Sequence, residues 1–358
     1  MIYLDYQATT QLAPEAREAM LRWLGDDSFG NPHSPHRMGR AAAAAVDVAR
    51  QQVAALLPPG GRVVFTGSAT EALNLALYDS GDVLTFATEH PAVLDCERHA
   101  RRHGFRFEVL PVSADGRANA AALAGQRPPQ VVAAMQVNNE IGTINPIPAI
   151  AAAAHDLGAV MLCDAVQGYG RIAIPDCVDL VAISAHKIHG PKGIGALWIR
   201  DGVKLFPLIR GGGQEGALRS GTLSPALCAG FGAAAAVAAQ RIDEDAAHVA
   251  MLWDAARDVL SRWTLNGSAE HRWKGNLNLR LAGLNVNRLI SECRGVMFAG
   301  GSACASGSGR PSHVLSALGL DPAEAKTSIR LGFGRYTSRE DLLSACRQID
   351  AAAREQGV

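Results

Sequence analysis

The chain has 358 residues, 48% of them hydrophobic and 19% charged, which is enough apolar material for a sizeable core and for two domains. Its 34 basic residues balance its 34 acidic ones, which argues against a nucleic-acid surface or a polybasic membrane patch and favours a small-molecule partner. Its 7 cysteines include no C-x-x-C pair and read as neither a disulfide framework nor a metal-binding zinc site. The first residues lack a basic stretch followed by an apolar one, and the longest apolar run, Phe231 to Ala239, is short for a bilayer; the expected location is cytoplasmic.

In chain order, the pattern predicts a helix over 14–24 with Pro14 in its first turn, a loop at 29–36, and an alanine-rich helix over 38–57. Apolar strands are expected at 62–66, 82–86, 106–110, 130–135, 159–163, 179–183 and 195–199, separated by helical or turn-rich segments. That rhythm signals an α/β architecture with a mostly parallel sheet flanked by helices. Two long helices, 225–241 and 245–262, should follow, then sparser strands at 277–281, 294–298 and 327–331, and a helix from Arg339 onward. The change of pattern near 245 marks a smaller second domain.

The stretch Ser184-Ala185-His186-Lys187-Ile188-His189-Gly190 follows an apolar strand, so Lys187 falls just past a strand end, where open α/β sheets place their ligands. A lysine there can form a Schiff base with pyridoxal phosphate; an isolated lysine is otherwise a solvated loop residue. Val63-Val64-Phe65-Thr66-Gly67-Ser68-Ala69-Thr70-Glu71 runs from a strand into a hydroxyl-rich turn that opens a helix. Such a turn suits a phosphate group and equally serves as a plain N-cap. Asp164 ends another apolar run, where a carboxylate needs a cation such as a protonated pyridine nitrogen; Gln167 can donate to the ring oxygen and His90 can stack on the ring. A helix cap is the competing reading for Asp164. Cys304 lies among Gly, Ser and Ala, with little apolar material to form a core around it, and is expected to be accessible.

Together with Tyr3-Leu4-Asp5-Tyr6-Gln7-Ala8-Thr9-Thr10, Gly30-Asn31-Pro32, Thr88-Glu89-His90, Val137-Asn138-Asn139-Glu140-Ile141-Gly142, Asp164-Ala165-Val166-Gln167, Arg219-Ser220-Gly221-Thr222, Gly301-Ser302-Ala303-Cys304 and Ser328-Ile329-Arg330, these segments resemble the group I (NifS/IscS-like) cysteine desulfurases of the class V aminotransferase superfamily over nearly the whole chain. The resemblance implies a pyridoxal 5'-phosphate enzyme of fold type I. Its large domain, 16–245, would carry a seven-stranded, mostly parallel sheet, and a smaller α+β domain, 1–15 with 246–358, would carry the cysteine loop. It implies that Lys187 is the Schiff-base lysine, Asp164 the pyridinium partner, Gln167 the donor to the phenolic oxygen, and His90 both ring stack and proton acceptor. Ala69, Thr70, Ser184 and His186 would hold the phosphate, with Thr222 from a second subunit of a homodimer. Asn139 and Arg330 would clamp the substrate carboxylate, Asn139 also bordering the cofactor. Cys304 would accept sulfur from L-cysteine, leaving L-alanine, and pass it to a protein of iron–sulfur assembly or tRNA thiolation.

The pattern departs from the family at Gly67-Ser68, where the order is reversed, at Leu73, and at Gln214; none removes a reacting group. The shorter C-terminal tail leaves the sulfur acceptor open. The alternatives in activity are another pyridoxal reaction on the same fold, such as transamination or selenocysteine lysis, and an inactive sulfur carrier, against which the intact Lys187, Asp164, Cys304 and Arg330 speak. The segment from Ala303 to Pro311 is expected to be a mobile arm, since Gly, Ser and Ala offer little to anchor it.

Overall fold

The computed structural model describes residues 1–301 and 312–358, so Ser302 to Pro311, with Cys304 and its expected mobile arm, lie outside the described residues. The N-terminal β1 (Ile2–Tyr3) is followed by the strands of the central sheet: β2 (Gly61–Thr66), β3 (Val83–Phe86), β4 (Phe107–Leu110), β5 (Val131–Met135), β6 (Val160–Asp164), β7 (Leu180–Ser184) and β8 (Gly195–Arg200). Each of the seven expected strands falls within a residue or two of one of these. The order across the sheet is β2-β8-β7-β6-β5-β3-β4; β8 runs antiparallel to both its neighbours and β3 to β7 pair in parallel. Every residue of β5 and of β7 is buried. Near-continuous apolar runs are what parallel strands need when helices cover both faces.

One of those faces is covered by helices Pro14–Leu21 and Arg37–Ala54 and by the first half of helix Pro225–Val259. Two helices were expected where this single one of 35 residues stands. The charged stretch at 241–245 holds no Gly or Pro, so nothing interrupts the hydrogen-bond ladder and the helix passes through position 245 unbroken. The apolar run 231–239 lies inside it, and by length and composition the helix is sufficient to cross a membrane. Here Phe231, Ala234, Ala235 and Ala238 are buried instead in the main core. Gly232 permits the close approach: a Cβ there would stand 2.7 Å from the Ala49 Cα.

The second half of the same helix gives Leu252 and Ala256 to a separate core with Leu4, Trp263, Leu277, Leu279, Ile329, Leu331 and Leu342. That core backs an antiparallel sheet of order β12-β13-β10-β9, formed by β9 (Thr264–Leu265), β10 (Asn276–Arg280), β12 (Ala299–Gly300) and β13 (Ser328–Gly332). The strand expected at 294–298 is two short pieces. β11 (Val296–Met297) pairs in parallel with β1 while β12 crosses to β13, because the chain changes partner at Phe298. The C-terminal helix Arg339–Glu355 closes this core.

Candidate active site

In the central sheet, β3 leads out to β4 at one edge and the chain then returns to the other side of β3 to build β5, β6 and β7. A parallel sheet splays its loops apart at such a reversal, leaving a crevice beyond the strand ends. A cavity of about 310 Å³ opens there, walled by His90 after β3, Asn139 after β5, Asp164 and Gln167 at and after β6, and Ser184, His186 and Lys187 at and after β7. Ser68, Ala69 and Thr70 complete the floor, and Arg330 of β13 reaches in from the second sheet. The structure thus brings together every expected site residue except Thr222, which is exposed outside the wall, and Cys304, which lies outside the described residues.

Lys187 ends a single 3-10 turn, Ala185–Lys187, directly after β7. Its Nζ donates to the Gln7 carbonyl at 2.5 Å and to the Ala8 carbonyl at 2.8 Å, so the N-terminal segment holds the amine at the cavity wall. Asp164 is 6% exposed. Burial pushes its carboxyl up to about 6, against the pull of the Val166 amide, which donates to Oδ1 at 3.0 Å, and of the Lys187 charge. Beside it Glu89 is wholly buried and pushed by burial well above the usual carboxylate range; its Oε1 accepts from the Met135 amide at 2.7 Å.

His90 caps a short helix, with Nδ1 accepting from the Ala92 amide at 3.1 Å. Burial, then the Lys187 charge, hold its pKa down to about 4, so the ring is neutral at physiological pH. With Nδ1 engaged as an acceptor, the neutral ring carries its proton on Nε2. The expected proton acceptor therefore presents a donor in this conformation. Burial and the Lys187 charge also hold His186 at about 4, with Nδ1 3.1 Å from the Thr9 hydroxyl. Gln167 is clamped on both ends: Nε2 donates to the Gln7 carbonyl at 3.0 Å and Oε1 accepts from Arg171 at 2.6 Å.

At the phosphate turn, the Ser68 hydroxyl accepts from the Glu71 amide at 3.2 Å and caps helix Ala69–Leu77. The Glu71 carboxylate reaches back to the Gly67 amide at 2.7 Å and pairs with Arg219 Nε at 2.7 Å. The turn is thereby fixed with Ala69 and Thr70 as the first helical residues, where free N–H groups and the helix dipole favour an anion. Both Glu71 and Arg219 stand in segments that carry the family resemblance, yet nothing in the sequence paired residues 148 positions apart. The roles of Gln7 and Ala8 were also not read from sequence, because they act through backbone carbonyls that any residue supplies. Asn138 was passed over as well: its side chain accepts from the Glu140 and Ile141 amides and donates to the Thr88 carbonyl, forming the turn that presents Asn139.

This donor set fits pyridoxal phosphate. A buried carboxylate with a raised pKa suits a pyridinium nitrogen, a helix N-terminus in the same wall as Ser184 and His186 suits the phosphate, and the Lys187 amine lines the same cavity. The class-V aminotransferase family matches residues 2–344. The chain is 40% identical to the cysteine desulfurase IscS of Rickettsia bellii over 369 residues, which cover 97% of this chain and 90% of that protein. It is 39% identical to the IscS of Rickettsia felis over 374 residues, covering 98% and 91%. Among solved structures, a NifS-like protein superposes with a TM-score of 0.90 at 29% identity, covering 98% of both chains. SspA in complex with cysteine superposes with a TM-score of 0.81 at 32% identity, covering 94% of this chain and 100% of that one. The chain belongs to the class-V aminotransferase family and is a pyridoxal-phosphate enzyme of fold type I.

Proposed function

We propose that this protein is a cysteine desulfurase: it converts L-cysteine to L-alanine and leaves the sulfur on Cys304 as a persulfide. The observation that carries the reading is one cavity lined by Lys187, Asp164, His90 and Arg330, in a chain 38–40% identical to proteins named cysteine desulfurase. When bound, pyridoxal phosphate supplies an electron sink for the substrate carbon. Asp164 keeps the ring nitrogen protonated, Gln167 and His90 orient the ring, and Ala69, Thr70, Ser184 and His186 hold the phosphate. Arg330 and Asn139 hold the substrate carboxylate, since a planar guanidinium can meet both oxygens. The Lys187 amine moves the α-proton. Cys304 as thiolate forms an S–S bond to the substrate sulfur as the carbon–sulfur bond breaks, and the thiol's proton ends on the carbon that becomes the alanine methyl. We assign to His90 the transfer of the Cys304 proton to that carbon: the ring releases the Ala92 amide, takes the thiol proton on the freed Nδ1 lone pair as the thiolate forms, and gives it to the carbon as the carbon–sulfur bond breaks.

We further propose a homodimer, in which Thr222 serves the phosphate of the other subunit; its exposure outside the cavity of its own chain supports this. The core of the C-terminal sheet, distinct from those on the central sheet, supports a division into 16–245 and 1–15 with 246–358, joined by the long helix and by small clusters such as Ile141 with Val314 and Leu315. The six described cysteines are all free, which suits the reducing cytoplasm. Iron–sulfur assembly is the role we assign to the sulfur, with a scaffold or thiolation protein as acceptor. The test is alanine formation by the purified, cofactor-loaded protein given L-cysteine. The wild type should form it and Lys187→Ala should form essentially none; equal rates would remove Lys187 from the chemistry.

A further inference from the structure

The N-terminal segment is tied to the end of β13 at Gly332. The Gly332 amide donates to the Leu4 carbonyl at 2.7 Å, Asp5 bridges to Gly332, and the Tyr3 hydroxyl donates to the Asp5 carbonyl at 3.1 Å and to the Thr9 carbonyl at 2.8 Å. Gly332 is required here: a Cβ on it would overlap the Gln7 side chain and stand 2.8 Å from the Tyr6 amide nitrogen. Asp5 is therefore held by its backbone at a fixed distance from the strand that carries Arg330.

The Arg330 side chain is 1% exposed. Its Nη2 donates to Asp5 Oδ1 at 2.7 Å, its Nη1 donates to the Asn139 carbonyl at 3.2 Å, and its Nε has no hydrogen-bond partner among the described residues. A guanidinium has five N–H groups. Two are used by Asp5 and Asn139, so Nε and the second hydrogens of Nη1 and Nη2 remain. A buried, unpaired cation would otherwise cost several kcal/mol or swing to another partner.

Resting on the carboxylate-clamp reading of Arg330, we infer that Asp5 is a positioning residue that sets the preference of this site for substrates bearing an α-carboxylate. Asp5 neutralises the buried cation before substrate arrives and pins the plane of the fork, leaving the unused N–H groups to the substrate. Because the carboxylate is held alike before and during the chemistry, the effect belongs in KM and binding rather than in kcat.

The test uses the cofactor-loaded enzyme and follows the change in cofactor absorbance on titration with L-cysteine and with cysteamine, which lacks the carboxylate. The wild type should favour L-cysteine. Arg330→Ala should erase that preference. Asp5→Asn, nearly the same shape without the charge, should weaken L-cysteine binding about tenfold while leaving cysteamine affinity, cofactor content and kcat within about twofold. Loss of preference in Arg330→Ala with wild-type preference in Asp5→Asn would overturn the inference and leave the clamp standing. Wild-type preference in Arg330→Ala would overturn the clamp itself. Should Asp5→Asn fail to fold, Asp5→Glu keeps the charge one methylene longer; undiminished discrimination in that variant would equally count against a pinned fork.

Discussion

Replacing Asp164 by Asn separates the cost of the cofactor site from its use. Burial raises this carboxyl from 3.8 to about 6 in the folded chain. The folded state therefore binds the proton more tightly than the unfolded chain does, and the stability of cofactor-free protein falls as pH rises through that interval. Roughly two units at 1.36 kcal/mol each amount to about 3 kcal/mol of strain fully present at pH 7. Asn has nearly the same shape and can still accept from the Val166 amide, which donates to Asp164 Oδ1 at 3.0 Å, so the substitution removes the charge and little else. Glu89 is raised chiefly by burial and further by the Asp164 charge, so Asp164→Asn also relieves part of its shift and acts in the same direction. Urea unfolding of cofactor-stripped protein should show Asp164→Asn more stable than wild type by about 3 kcal/mol at pH 7 and equal to it near pH 4. Added pyridoxal phosphate should stabilise the wild type far more than the variant, because only the carboxylate gains a cation. Equal stability of the two stripped proteins at pH 7 would refute the claim that Asp164 is a strained charge awaiting a partner.

Cys304→Ser should retain the cysteine-dependent change in cofactor absorbance and yet release almost no sulfide; loss of both signals would assign Cys304 to substrate binding or folding instead. Glu71→Ala deprives the Gly67 amide and Arg219 of a carboxylate that now bonds both, at 2.7 Å each. With charge-assisted hydrogen bonds worth about 1.5–3 kcal/mol, cofactor affinity measured by equilibrium dialysis should fall by roughly tenfold or more, and unchanged retention would mean that the turn stands without this pair.

The central sheet was legible because its strands are short apolar runs bounded by turn residues, a pattern that survives without knowledge of neighbours; β5 and β7 are buried at every position. The sequence pattern predicts two helices where one runs through, and the stretch 241–245 holds no Gly or Pro that would weaken the ladder there. The strand at 294–298 was misread because one apolar run serves two different partners, which no local pattern encodes. In the site, side chains with distinctive chemistry such as Lys187, Asp164 and Arg330 could be named from sequence. What holds them could not. The Gln7 and Ala8 carbonyls, the Asp5 partner of Arg330 and the Glu71–Arg219 pair are long-range contacts, created only when the chain termini and the sheet meet.

The central claim is that sulfur leaves cysteine for a thiol of this chain. A single turnover of the cofactor-loaded enzyme with one equivalent of L-cysteine, followed by mass spectrometry of the peptide containing Cys304 and assay of alanine, tests it directly. The account predicts one sulfur atom gained on that peptide for each alanine formed. Alanine formed without sulfur on Cys304, or pyruvate formed in its place, would contradict it.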